Sequence, residues 1–508
     1  MAVRKQAKRS GGGTRRDRGA AKVRIRMYRQ GLGDCFLVSF FTGDDAVHML
    51  IDCGTLGTDD KKVKMVDVVA DIARETGNHL DLLIATHEHR DHVSGFNSER
   101  EAFDEMTVDR VWLAWTEDAK DSLARDISKY RRDLVSTVAA ALDVLEHSPV
   151  AAGDEESMQR TTSGTRELLG FVGEVPDGPV FGAGLAKTVQ EAMSYVTTRA
   201  GPNVSFLKPG EVMEPEWLPG VRFYVLGPPR SKESIARMGE HGSPDLYALT
   251  SQYVGDLARC ARFGAGSNAL NGFLDELAPQ EREEFVRGLP FDPRFRIEDH
   301  ETAPWRDRFP EYFSDENCWR RVDQDWLAAT GEFALQLDSY TNNTSLALAI
   351  EIVGDGRVLL FPADAQLGHW VSWHDYTWRV EEGEGRRQRN VTAADLLANT
   401  VFYKVGHHAS HNATASRRGL ELMQHDDLVA FIPVDRKVAM RKTPPWVMPA
   451  EALYERLLEK TRGRVYRSDI GSPEDDQRPD SVARSAWDEA RQGAPVAIED
   501  LFIDYELR

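Results

Sequence analysis

Between residues 86 and 92 the chain reads Thr-His-Glu-His-Arg-Asp-His. His87, His89, Asp91 and His92 are four side chains of the types that bind divalent metals, packed into six residues. Alternation puts His87 and His89 on one side, where they can share one ion. Asp91 and His92 come a turn later and face a second. Imidazole mixed with carboxylate suits zinc, manganese, iron or nickel better than calcium. A solvated polar loop is the alternative, disfavoured by so dense a donor set.

Two later turns carry related chemistry. Leu359-Leu360-Phe361-Pro362-Ala363-Asp364 ends an apolar run in a carboxylate, which is costly to bury unless paired or bound to metal. Asp364 therefore reads as a metal ligand in preference to the cap of a segment starting at Ala365. Tyr403-Lys404-Val405-Gly406-His407-His408-Ala409-Ser410-His411 again ends a strand in a turn, with three of the 14 histidines in five residues. His147, His241 and His300 have no such strand-end setting.

Such turns need sheets to carry them. Residues 23–28, 35–41 and 47–52 alternate or run apolar between glycine turns and predict an antiparallel meander. Residues 62–75 have helical spacing, closed by Gly77-Asn78. The strand 80–85 delivers the His87–Asp91 loop, and 108–114 predicts one more strand. Residues 123–145 form a long amphipathic stretch. A strand at 222–226 runs into Pro228-Pro229, and residues 230–340 read as irregular. Strand patterns return at 345–353, 357–362, 400–405, 428–434, 464–466 and 501–507, with a helix over 451–461. Helices interleaved with strands predict a mixed α/β layer architecture.

The 508 residues are 41% hydrophobic and 29% charged, as in an ordinary soluble globular protein. The longest apolar runs are strand-sized, which excludes a predicted transmembrane helix, and no secretory signal pattern opens the chain. Cys35, Cys53, Cys260 and Cys318 lack metal or redox spacing and read as reduced thiols, so a cytoplasmic location is expected. Residues 1–26 hold ten Lys/Arg against the one acid Asp17, so they carry +9 and the remainder −28 of the total −19. The expected organisation is a basic disordered tail over 1–21 and one domain over 22–508, with insertions at about 98–220 and 230–340. The tail binds nucleic acid or an acidic partner, or merely solubilises. The Trp- and Arg-rich stretch 300–330 suits a protein partner.

The series His87-x-His89-x-Asp91-His92, Asp364 and Gly406-His407-His408-Ala409-Ser410 resembles the metallo-β-lactamase superfamily. Within it the resemblance leans to the β-lactamase-like domain of the DNA-uptake channel protein ComEC. That branch is matched by Gly33-Asp34-Cys35, Ile51-Asp52-Cys53-Gly54, the Asn342-Asn343-Thr344-Ser345-Leu346 strand, and residues 359–364 and 404–410. The resemblance covers about 23–97, 221–229 and 340–508. It implies an αβ/βα sandwich with the site at converging strand ends and two divalent ions, zinc or manganese. It implies His87 and His89 on one ion, Asp91 and His92 on the other, and Asp364 bridging. One of His407 and His408 completes the second, with His408 preferred and His407 left for phosphate binding or general acid work. Gly227 stands where many members place a third histidine for the first ion. Asn342 or Asn343 could take that space, or one ion suffices.

The first functional reading is a phosphodiesterase or nuclease using a metal-activated hydroxide, with Asp91 and His407 as catalytic residues. Lys404, Arg436, Lys437, Arg441 and Lys442 would form a basic rim, or simply a solvated face. The alternatives are a thioester or lactone hydrolase of the same superfamily, and a non-enzymatic interaction or defence protein with a structural or degenerate metal site.

Overall fold

The computed structural model describes residues 22–43, 45–59, 63–147, 155–172, 187–236, 303–311, 330–382, 387–442 and 445–507. The basic tail, His241, His300 and most of 300–330 lie outside the described residues.

Period-two alternation builds two facing sheets. The first has eight strands in the order Val496–Ile498, Phe502–Leu507, Lys22–Tyr28, Cys35–Thr42, Asp45–Cys53, Leu82–Ile84, Val111–Ala114 and Val204–Leu207. The second has seven: Val465–Arg467, Val429–Ile432, Thr400–Lys404, Val358–Phe361, Ala347–Ile352, Val221–Gly227 and Val212–Met213. Successive residues divide between layers. Leu82 and Ile84 join Leu359, Phe361, Phe402 and Phe431 in the core between the sheets, whereas Leu83 faces outward. Each such side chain contributes roughly 1.5–3 kcal/mol on burial. The outer faces are covered by helices. Met65–Thr76 packs Val68, Val69 and Ile72 over Leu37, Leu50 and Leu83, and Leu457 of Glu451–Thr461 joins Ala430 and Ile432 on the other side. The result is the expected mixed α/β sandwich with helices outside.

Several elements depart from the sequence pattern. The run 80–85 is broken: Leu80 pairs with Val108 in a two-residue ribbon, and only Leu82–Ile84 enters the large sheet. Asn342 is not in a strand. It ends the helix Thr330–Asn342, and residues 343–346 bridge to the strand Ala347–Ile352. That helix falls in the stretch read as irregular. The strand Val204–Leu207 extends the first sheet from within the stretch read as an insertion. The hairpin of Thr377–Glu382 with Arg387–Thr392 and the helix Arg484–Gly493 carried too few apolar residues to signal themselves. The helix Ser122–His147 packs Ile127, Leu134 and Val138 with Leu169, Ala334 and Leu337. The two stretches read as insertions thus share a hydrophobic cluster.

Candidate metal centre

Close backbone contacts set the geometry. A Cβ on Gly54 would lie 2.3 Å from the Asp91 carbonyl carbon, and one on Gly33 2.7 Å from the Asp91 oxygen. Only glycine lets these two turns approach the loop, where Asp34 N donates to Asp91 O at 2.9 Å. Asp52 is in the left-handed region, φ 56°. Its carboxylate accepts from Thr86 N at 2.8 Å, Thr86 Oγ1 at 2.7 Å and His92 Nδ1 at 2.8 Å. The Ile-Asp-x-Gly turn therefore orients His92 from behind.

With Nδ1 held by Asp52, His92 turns Nε2 to Asp364 Oδ2, 3.0 Å away. His408 repeats the arrangement. Its Nδ1 donates to Pro433 O at 2.6 Å, and its Nε2 meets Asp91 Oδ2 at 2.8 Å. Asp91, His92, Asp364 and His408 are all buried, and each offers one ligand atom within 4.8 Å of the others. The structure brings these four together. His87 Nε2 lies 3.1 Å from His89 Nδ1, but among the described residues this pair belongs to no group of three donors. Asp364 caps no helix, because Gln366 is the N-cap of Leu367–Ser372. Its Oδ1 accepts from His407 N at 2.9 Å and from Lys404 Nζ at 3.2 Å.

His407 faces elsewhere. Its Nδ1 is 2.9 Å from Ser410 Oγ, which donates to Asn412 Oδ1 at 2.8 Å, and its Nε2 is 3.5 Å from Asn342 Nδ2. His407, His408 and Ala409 all have left-handed backbone, with φ of 43°, 52° and 61°. This run points adjacent imidazoles in different directions. His411 is exposed.

Burial would raise the Asp364 carboxyl, but His92 and Lys404 hold it well below the usual range. Burial would likewise lower His92, yet Asp364, Asp34, Asp91 and Asp52 around it keep it well above the ordinary imidazole value. At His89 and His407 burial outweighs the opposing pull of Asp91 and Asp364, and His89 falls to about 3 and His407 to about 4.

The basic rim loses Lys404. Lys404 is buried between Asp34 and Asp364, under the site. Lys437 and Arg441 pair with Asp59, and Lys442 with Glu167. The third-histidine question also has a physical answer. The ring of His369 fills the space a Cβ on Gly227 would need, with Cε1 2.0 Å from that point. His369 donates from Nε2 to Ser345 O and accepts from Trp373 Nε1, both at 2.9 Å. Both its nitrogens are engaged in the fold.

Both stretches read as insertions contribute to the site. Phe171 packs on the His89 ring at 5.3 Å and stacks on Trp446 at 4.9 Å. Arg131 of Ser122–His147 pairs with Glu88, inside the His87–Asp91 loop. Asp338 Oδ2 accepts from Asn342 Nδ2 at 3.0 Å. Asp34 and Asp52 stood in recognisable turns with no role assigned. Asp338, Phe171 and Arg131 had no signal, because only folding brings segments so distant in the chain to the loop.

Residues 28–125 match the family model described as the metallo-beta-lactamase superfamily. No curated protein matches the chain. The match supports a hydrolase in general, of a superfamily that typically binds divalent metals. The donor chemistry fits such an ion: His89 Nε2 and Asp91 Oδ1 are buried with no hydrogen-bond partner among the described residues. Among the described residues no helix is long and apolar enough to cross a membrane.

Proposed function

We propose that the protein is a metal-dependent phosphodiesterase or nuclease. The reading rests on one observation above others: Asp91, His92, Asp364 and His408 converge with both imidazoles tethered through Nδ1. Tethering leaves Nε2 as the ligand atom on each ring, the arrangement that orients metal-binding histidines. These four would hold one zinc or manganese ion, and His87 with His89 would offer a second, weaker position. A bound divalent ion supplies Lewis acidity for water activation and for the charge on an attacked phosphorus.

The chain's own residues do the rest. Asp52 and Pro433 O fix the rings, and Lys404 keeps Asp364 ionised. His407, beside the ligand His408, binds a non-bridging phosphate oxygen. The basic tail over 1–21 recruits nucleic acid, and the stretch 300–330 docks a protein partner. One observation favours a lesser reading, a single-ion or degenerate site: His87 and His89 lack a third donor among the described residues.

The test is a metal-by-substrate screen. Apo protein is reloaded with zinc, manganese or nickel and offered single- and double-stranded DNA, RNA, bis-(p-nitrophenyl) phosphate, a thioester and a lactone. Phosphodiester turnover dependent on added metal is expected. Turnover of the thioester or lactone alone would reassign the substrate, and no turnover with no bound metal would remove the hydrolase reading.

A further inference from the structure

The helix Thr330–Asn342 belongs to neither sheet, and its last turn lies against the metal centre. It brings two polar side chains into a place where burial is expensive. Asp338 is 8% exposed and Asn342 fully buried. Asn342 Nδ2 donates to Asp338 Oδ2 at 3.0 Å and lies 3.5 Å from His407 Nε2. That leaves two oxygens, Asp338 Oδ1 and Asn342 Oδ1, buried with no partner among the described residues. Ala334 and Leu337 already supply its apolar contacts.

We infer that Asp338 is a catalytic acid, which protonates the oxygen that leaves when the phosphodiester is cleaved. This rests on the phosphodiesterase reading. Water's oxygen forms the new bond to phosphorus, and its proton passes to solvent. The bond from phosphorus to the leaving oxygen breaks with its electron pair on that oxygen. Asp338 Oδ1–H gives that oxygen its proton, and Asp338 regains one from solvent. Asn342 is the positioning residue: its amide holds Asp338 Oδ2, so the proton sits on the unpartnered Oδ1.

The surroundings keep the proton in place. In the metal-free chain burial, the largest cause, pushes the Asp338 carboxyl up, Asp364 and Asp91 push it further, and His408 and the Asn342 hydrogen bond only partly oppose them, leaving it at about 8. No Lys or Arg is among the largest influences on it. Contrast Asp364, in the same pocket of charge, which Lys404 and His92 hold ionised. Two carboxyls with opposed environments divide the labour, one holding metal and one holding a proton.

The test uses full-length, metal-loaded protein, Asp338→Asn, and two substrates that share one nucleotide. The p-nitrophenyl ester of thymidine 5′-monophosphate has a leaving group that departs without a proton. Thymidylyl-thymidine has a sugar alkoxide that needs one. The variant should lose about 10²- to 10⁴-fold in turnover of the dinucleotide and little on the aryl ester. Its metal content should match wild type. Infrared difference spectra, wild type minus variant at neutral pH, should show a carboxylic-acid C=O band. Equal losses on both substrates, no loss on either, lost metal, a missing band, or a wild type that cleaves only the aryl ester would each overturn the role of Asp338. A wild type that cleaves neither ester removes the phosphodiesterase reading itself, and this one with it.

Discussion

Lys404 Nζ lies 3.2 Å from Asp364 Oδ1, with both side chains at most 2% exposed. Asp34 holds the same ammonium. One buried cation therefore compensates two buried carboxylates beneath the metal centre. Lys404→Met removes it and leaves both anions without their shared ammonium. The metal-free variant should lose about 3–5 kcal/mol. Urea unfolding checks this, with the midpoint falling at constant slope. Loading with metal should recover part of the loss, because an ion on Asp364 takes over some of the charge.

Asp52 touches no proposed ion, yet it accepts from His92 Nδ1 and twice from Thr86. Asp52→Asn turns one acceptor into an NH₂ group that faces the His92 N–H or forces the other tautomer. Metal affinity should fall roughly 10- to 100-fold. Competition with a chromophoric chelator measures it. Unchanged affinity would falsify His92 as a ligand.

Gly54→Ala is a steric test of the loop. The added methyl would meet the Asp91 carbonyl carbon at 2.3 Å, which is backbone and cannot rotate away. Overpacking of this kind costs about 1–3 kcal/mol. Since the atom displaced belongs to Asp91, metal affinity should fall along with the melting temperature. A stability loss with intact affinity would mean the loop moves as a unit with its ligands.

Stability of the metal-free protein should also carry the signature of Asp338. Its carboxyl sits at about 8 in the folded chain and about 4 when unfolded. Between those values the unfolded chain has released a proton that the folded chain retains. Stability from this group is therefore full at low pH and falls as pH rises through that window, by at most ~1.4 kcal/mol per pH unit. Asp338→Asn keeps an acceptor for Asn342 but cannot ionise. Its stability relative to wild type should climb from pH 4 to 8 and then level off, as read from urea midpoints across that range. A constant difference would mean Asp338 is already ionised at low pH.

The sheets and the ligand turns were legible because both are local. Period-two runs ending in His-x-His-x-Asp-His or His-His need only neighbours to be recognised, and Asp364 stood out as a carboxylate closing an apolar strand. Lys404 misled because sequence reads a lysine as surface, while Asp34 and Asp364 make its burial tolerable. Asn342 misled in a different way. Its motif matched a strand pattern, but the preceding Ala334–Leu337 contacts carry the helix through it. Asp338 and Phe171 are illegible in principle from local pattern, since their meaning depends on which remote loop the inserted helices meet.

The left-handed run of His407, His408 and Ala409 has a consequence for how the protein ages and refolds. Three successive residues without the freedom of glycine occupy a region that costs an L-residue about 1–2 kcal/mol. They are kept there from both ends, by Asp364 on His407 N and by Ala450 N on Ala409 O. The turn behaves as a spring with two latches. When either latch slips, relaxation swings His408 away from Asp91, so this segment should exchange its amide hydrogens ahead of the buried strand Thr400–Lys404 that precedes it. Ala409→Gly would slacken the spring, giving a sturdier turn that aims its imidazole less well.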